Sequence, residues 1–233
     1  MASARACFVT ATGTGVGKTI VAAAIAAGLA AEGVRVSARK PIATGVGDGA
    51  AGDDLARLDD HALLAAVTGE PPEEVAPLRF EPPVSPHLAA ELAGLEIDCA
   101  AVLAGLRRRA GEAEALVVEG IGGLLVPVAP GWDVRRIARE LGWPVIVVAG
   151  PALGTINHTL LTLEAARAAA LDVRAVVLTP WPGEPSPIER SNRATIADLG
   201  GVAVSALPAL PRVTVETLAL AARSLPYADW LER

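Results

Sequence analysis

Ala6-Cys7-Phe8-Val9-Thr10-Ala11-Thr12-Gly13-Thr14-Gly15-Val16-Gly17-Lys18-Thr19 decides the fold of this 233-residue chain. Ala6–Thr10 is a short apolar run and reads as a buried strand. A glycine-rich turn follows. Lys18–Glu32 then reads as an alanine-rich helix, with Gly33 as its C-cap. A strand, a glycine loop and a helix N-terminus together make a cradle for phosphate. Glycines let backbone N–H groups converge on the oxygens, and the helix dipole adds partial positive charge. Lys18 is placed to reach terminal phosphates, and the Thr19 hydroxyl to ligate Mg²⁺. The loop is a variant, because the strict pattern wants glycine where Thr12 stands. The dinucleotide fingerprint fails, because no glycine occupies position 18.

Outward from this loop the chain alternates strands and helices. Val34–Lys40, Ala115–Glu119, Val145–Ala149, Ala175–Leu178 and Val202–Ala206 read as strands. Asp53–Thr68, Leu88–Leu95, Asp98–Arg109, Asp133–Leu141, Asn157–Ala170, Ile188–Leu199 and Val213–Ala222 read as helices. Residues 41–52 read as a loop and residues 223–233 as a C-terminal tail. This alternation predicts an α/β fold: one domain over residues 1–233, with a mostly parallel central sheet and helices on both faces. Ligands of such sheets bind beyond the carboxyl ends of the strands.

Composition narrows the function. The net charge is −6, which argues against nucleic acid as the main partner. Two cysteines, Cys7 and Cys99, make no disulfide framework. No apolar stretch is long enough to span a bilayer, and the N-terminus lacks the pattern of a signal peptide, so a cytoplasmic protein is expected. Lys plus Arg number 20, yet only Lys18 and Lys40 are lysine. A GC-rich genome explains the loss of the others. A lysine that persists marks a place where a compact ammonium is needed and a forked guanidinium does not fit.

Lys40 ends the second strand, and Pro41 restrains it to extended backbone. Glu119 ends an apolar strand, where a carboxylate has few structural reasons to exist. It reads as a second Mg²⁺ ligand beside Thr19. Either Asp53 or Asp54 caps the helix that follows residue 52. His61 reads as a helix-surface residue. His87, Trp132 and His158 read as packing or capping residues, and Asn192 has no evident role.

Thr12–Thr19 (TGTGVGKT), Lys40-Pro41, Ser85-Pro86-His87, Val118-Glu119-Gly120 with Gly122-Gly123, and Leu153–His158 occur in one order. Together they resemble the dethiobiotin synthetase family across residues 6–210. That resemblance implies closure of the ureido ring of dethiobiotin from 7,8-diaminopelargonic acid, CO₂ and a nucleoside triphosphate, with Mg²⁺. A carbamate of one amine attacks the γ-phosphate of ATP, giving a carbamic–phosphoric mixed anhydride. The second amine then closes the ring and releases phosphate beside ADP. An anionic carbamate must meet an anionic phosphate, so cations are needed on both sides.

The resemblance also implies roles for residues. Gly13, Thr14, Gly15, Val16, Gly17, Lys18, Thr19 and Ile20 hold the phosphates. Lys40, Lys18 and Thr14 form the catalytic set, with Lys40 at the neighbouring strand end bridging carbamate and γ-phosphate. Thr19, Asp54 and Glu119 bind Mg²⁺, Asp54 being the third ligand by resemblance. Gly120, Ile121, Gly122 and Gly123 bring backbone amides near phosphate or substrate, Ile121 standing where the family usually has alanine. Thr44 contacts the substrate. Leu153, Gly154, Thr155 and Asn157 hold its carboxylate tail, lent across the interface of a homodimer. Thr179 and Pro180, with Leu207, Pro208 and Ala209, lie near the base. Members that favour adenine carry asparagine where this chain has Thr179. A threonine cannot pair bidentately with the adenine edge, so CTP and other triphosphates are expected to serve as well.

Three other readings are weighed. A partitioning or site-selection ATPase of the deviant P-loop class carries a second lysine early in the loop, where this chain has Thr12 and Gly13. An amidotransferase-type synthase needs a glutaminase domain that the chain has no residues to hold. A nucleotide-binding module without catalysis leaves Lys40 and Glu119 unexplained.

Overall fold

The computed structural model describes residues 5–47 and 54–231. The chain runs through β1 (Arg5–Ala11), α1 (Lys18–Ala31), β2 (Val36–Arg39), β3 (Ile42–Thr44), α2 (Asp60–Thr68), α3 (Pro72–Val75), β4 (Leu78–Phe80), α4 (Pro86–Leu92), α5 (Cys99–Glu112) and β5 (Ala115–Glu119). It continues through β6 (Pro127–Ala129), β7 (Trp132–Asp133), α6 (Val134–Leu141), β8 (Val145–Ala149), α7 (Thr155–Ala168), β9 (Val173–Trp181), α8 (Pro187–Gly200), β10 (Ala203–Pro208), α9 (Val215–Ala222) and α10 (Tyr227–Leu231).

Six strands form one sheet in the order β10-β9-β8-β1-β5-β2. Every neighbouring pair is parallel, as the alternation predicts. The four inner strands β1, β5, β8 and β9 are apolar on both faces because helices cover both. Val9, Val117, Ile146, Val148 and Val177 face α1, α2, α9 and α10. Phe8, Leu116, Val118, Val147 and Leu178 face the layer of α4 to α8. From β1 the chain crosses to β2 and β5 on one side, then returns to β8 on the other. The direction of winding reverses at β1, which is where such sheets bind ligands. The glycine loop leaves the sheet at this point.

Helix α1 lies between the sheet and other helices, with Ala22, Ala23, Ala24 and Ala26 fully buried. Small side chains let its neighbours approach closely. Tyr227 of α10 sits so near Gly28 that a Cβ there would lie 2.7 Å from its ring. Its hydroxyl donates to Glu32 Oε1 at 2.6 Å. Gly28→Ala is therefore expected to unseat α10 and cost about 1–3 kcal/mol. Urea titration of the variant measures this, and an unchanged midpoint would show that α10 adapts freely.

Several expectations change at this level. Residues 41–52 include strand β3, which pairs in parallel with β4. The helix expected over Asp53–Thr68 is a 3₁₀ turn, Leu55–Arg57, followed by α2 from Asp60. Residues 223–233, read as a tail, contain α10, whose Tyr227, Trp230 and Leu231 are buried. Three strong apolar anchors in five residues dock a segment too short to show a helical period.

Candidate active site

Lys40 is the centre of the site. Its Nζ lies 2.7 Å from Glu119 Oε1 and 2.7 Å from Asp60 Oδ2. The Thr19 hydroxyl lies 2.7 Å from Asp60 Oδ1 and 3.0 Å from Glu119 Oε1, its one proton serving one acceptor at a time. Lys40 and Glu119 are only 3% and 1% exposed. Lys18, also buried, completes the cluster from the first turn of α1.

Strand order explains how these charges meet. β5 lies between β1 and β2, so Glu119 stands between the loop bearing Lys18 and the strand end bearing Lys40. The expectation that Lys40 ends the strand beside the glycine loop is corrected by one strand. The intervening strand supplies the counter-charge that lets two ammonium groups share a buried corner.

The electrostatics follow from this placement. Burial would lower Lys40, but Glu119 and Asp60 overcome it and hold the ammonium above its ordinary range. Lys18 has no such close partner among the described residues. Burial, opposed by Glu119 and reinforced by Lys40, holds it below the usual range. Burial pushes Asp60 upward, yet Lys40 and the Thr19 hydroxyl bring it below the carboxylate range. Lys40 and Asp60 are thus shifted chiefly by opposite charge close by, and Lys18 by burial.

The cluster borders a cavity of about 630 Å³. Thr14, Gly15, Gly17, Lys18, Thr19 and Ile20 line it from the glycine loop and α1, together with Lys40, Thr44, Asp60, Ile121 and Gly122. Leu58, Leu63, Pro83, Val84, Pro86 and Val126 give it an apolar wall, with Ser85 beside them. Gly17 has φ 92°, a left-handed conformation that side chains resist. A Cβ there would also meet Thr179 Cγ2 at 2.7 Å. Thr179 therefore closes the glycine loop from β9, and Ala209 beyond β10 donates its N–H to Trp181 O at 2.8 Å. Gly123 packs against the backbone of Ala11 and Thr12. Gly120 packs on Phe8 and Val134.

The aspartate in the cluster differs from the one the resemblance implies. Asp54 accepts from the N–H groups of Ala56 at 3.2 Å and Val213 at 3.1 Å. These backbone donors hold its pKa below the usual range, and the side chain caps the 3₁₀ turn. It meets neither Thr19 nor Lys40; Asp60 meets both. Asp53 lies outside the described residues.

Other expected residues fall elsewhere. Leu153, Gly154 and Asn157 lie exposed at the start of α7, away from the cavity, while Thr155 is buried. His61 is buried, 6% exposed, not on the surface. Its Nδ1 has no partner among the described residues. Trp132 packs under the Arg136 guanidinium at 4.0 Å. Asn192 has a clear role: its Nδ2 donates to Pro151 O at 2.9 Å and pins the turn that leads to Leu153.

The donor set suits a hard divalent cation. Thr19, Asp60 and Glu119 bring oxygens together, and Glu119 Oε2 is a buried acceptor with no partner among the described residues. Mg²⁺ is held by few protein oxygens and keeps several waters. Glycine loop, helix N-terminus, two buried lysines and this oxygen set define a P-loop protein built to bind and act on a nucleoside triphosphate. Comparisons agree. The family model described as AAA domain matches residues 5–217. In solved structures the fold resembles a ParA family ATPase from Chlorobium tepidum, with TM-score 0.56, 15% identity and coverage of 97% of this chain and 94% of that one. The Aquifex aeolicus MinC:MinD complex gives TM-score 0.54 at 14% identity, covering 97% and 92%.

Sequence similarity narrows the class to a family. The ATP-dependent dethiobiotin synthetase BioD of Mycolicibacterium vanbaalenii is 41% identical over 203 residues, 86% of this chain and 85% of that protein. Its namesake from an Anaeromyxobacter species is 40% identical, covering 84% and 86%. The chain belongs to the ATP-dependent dethiobiotin synthetase family.

Proposed function

We propose that this chain closes the ureido ring of dethiobiotin, converting 7,8-diaminopelargonic acid, CO₂ and ATP to dethiobiotin, ADP and phosphate. The observation that carries the reading is the Lys40–Glu119–Asp60–Thr19 cluster facing the phosphate loop across one cavity. Lys18 and the loop amides hold the triphosphate. One amine of the substrate adds to CO₂, giving a carbamate and losing a proton to water. A carbamate oxygen attacks the γ-phosphorus, and the bond to the bridging oxygen breaks to release ADP. The second amine attacks the carbonyl carbon of the mixed anhydride, and phosphate departs as the C–N bond closes the ring.

Lys40 answers the main barrier, the approach of two anions. Pro41 fixes the direction of its backbone, and Asp60 and Glu119 keep the ammonium charged. Thr14 and Thr44 bring hydroxyls to the same cavity. The apolar wall from Leu58 to Val126 suits an aliphatic substrate chain and excludes water. Thr19, Asp60 and Glu119 would hold Mg²⁺, which when bound draws charge from the transferring phosphoryl group.

Two finer features belong to this reading. The substrate's carboxylate is held by Leu153, Gly154, Thr155 and Asn157 of a second copy in a homodimer. The exposure of Leu153, at 91%, and its separation from the cavity support that arrangement. The base lies near Thr179, Pro180, Leu207, Pro208 and Ala209. Thr179 spends its methyl against Gly17 and offers one hydroxyl in place of a carboxamide. A cytoplasmic setting belongs to the same reading, and two buried free cysteines suit it. The fold alone is shared with partitioning ATPases, and Thr12 and Gly13 lack their early loop lysine.

Phosphate release tests the reaction. It is expected to require diaminopelargonate and CO₂ together; hydrolysis indifferent to the diamine would overturn the assignment. With ATP, CTP, GTP and UTP at equal concentrations, turnover with ATP and CTP is expected within about tenfold, or 1.4 kcal/mol. A preference for ATP above a hundredfold would refute relaxed base selection.

A further inference from the structure

β2 is the edge strand of the sheet, pairing with β5 on one side only. An exposed edge leaves backbone donors unpaired next to the residue the reaction depends on. Here the free side is closed from the link between α2 and α3. Glu70 Oε2 accepts the Ala38 N–H at 3.1 Å. Two residues further, Lys40 N–H donates to Val75 O at 2.9 Å. A side-chain carboxylate and one carbonyl thus replace the missing strand.

The same carboxylate is a hub. The Ser37 hydroxyl lies 2.8 Å and 2.9 Å from its two oxygens. Arg39 donates to Oε2 at 2.8 Å, and Arg109 of α5 to Oε1 at 2.5 Å. Arg109 Nε also donates to Ser37 at 2.9 Å. These partners hold Glu70 below the carboxylate range although burial pushes it up. One buried arginine and one partly exposed arginine against a single glutamate is a costly arrangement for stability alone. Its placement has a mechanical consequence. Glu70 grips β2 one residue before Lys40, and it is joined through Gly69 to α2, whose first residue is Asp60. Both partners of the Lys40–Asp60 pair therefore hang from one carboxylate.

We propose that Glu70 is a positioning residue for the ring-closing reaction, fixing the Lys40 ammonium against Asp60 and Glu119 by clamping β2 to α2 and α5. The inference rests on the proposed function, because Lys40 must face both carbamate and phosphate. Arg39 and Arg109 also line a cavity of about 600 Å³ on the outer side of this network. A small carboxylate can reach both guanidinium groups from there once the Glu70 side chain is shortened.

The test measures kcat, the KM values and nucleotide affinity in wild type, Glu70→Gln and Glu70→Ala, with formate added to the last. Activity is referred to the nucleotide-binding fraction, so unfolded protein does not count. The expected result is a fall in kcat of about tenfold or more in both variants. Nucleotide affinity stays within about twofold, because the loop on β1 and α1 is untouched. Formate restores part of the kcat of Glu70→Ala and none of that of Glu70→Gln, whose amide fills the space. A purely structural role lowers the folded fraction and leaves kcat per nucleotide site unchanged, and that outcome overturns the proposal. If the Glu70 variants do not fold, Arg109→Gln, at the half-exposed end of the network, is expected to lower kcat about threefold at constant nucleotide affinity. No change there also overturns it. Wild type without diamine-dependent phosphate release refutes the proposed function itself, which is a different result.

Discussion

Lys40→Arg is expected to abolish most turnover while nucleotide binding survives. The buried ammonium sits 2.7 Å from each of two carboxylates, the buried Glu119 and the half-exposed Asp60. A guanidinium is planar and longer, and it aims its donors in a fork. To keep charge between Asp60 and Glu119 it must push one of them aside or project past them into the cavity. In the proposed reaction, either outcome displaces the cation that is to face both carbamate and γ-phosphate. Loss of one preorganised electrostatic contact costs about 10²–10³ in kcat. Steady-state kinetics with a parallel nucleotide titration separate the two effects. Near-normal turnover would mean that charge alone matters at position 40, and that the scarcity of lysine in this chain records only codon bias.

The second large effect separates two aspartates six positions apart. Asp60→Asn is expected to lower kcat about a hundredfold and raise the Mg²⁺ concentration needed for half-maximal rate. The amide keeps its shape but removes a hard anionic ligand and a partner of Lys40. Asp54→Asn is expected to leave turnover within about twofold, because its carboxylate serves Ala56 and Val213, and an asparagine also caps. Titrating Mg²⁺ against initial rate in both variants decides between them. A large loss in Asp54→Asn with an active Asp60→Asn would return the metal to the residue named by family resemblance.

This pair marks where the sequence stops being informative. Asp53-Asp54 and Asp59-Asp60 are both acidic pairs ahead of Leu- and Ala-containing segments. Local pattern treats them alike. What separates them is a contact with Thr19 across 41 residues, which no local rule contains. Glu119 was legible for the opposite reason, as the single charge closing the apolar run ALVVE. Lys18 and Lys40 were legible by rarity and context. That β5 runs between their strands was not, because order within a sheet is settled by packing.

His61 shows the same limit. Two aspartates before it suggest a solvated helix start, but α2 packs against α1, α3 and β2 together and leaves that residue no open face. The pairing of β3 with β4 joins two three-residue strands, too short to display any alternation. Asn192 stood out by scarcity alone; its purpose needed the turn at Pro151 that it pins. Binary pattern thus locates the six-stranded frame well, while single polar residues acquire meaning only through partners distant in the chain.

The cluster around Lys40 has one further property. Lys18 and Lys40 contribute two positive charges, Glu119 and Asp60 two negative, so the four sum to zero. A neutral quartet casts almost no field beyond its own dimensions, and the chain as a whole carries −6. Long-range attraction therefore cannot gather a polyanion to this corner. Capture of the triphosphate falls to Lys18 and the short-range amides of the glycine loop, and encounter rates should not fall as ionic strength rises.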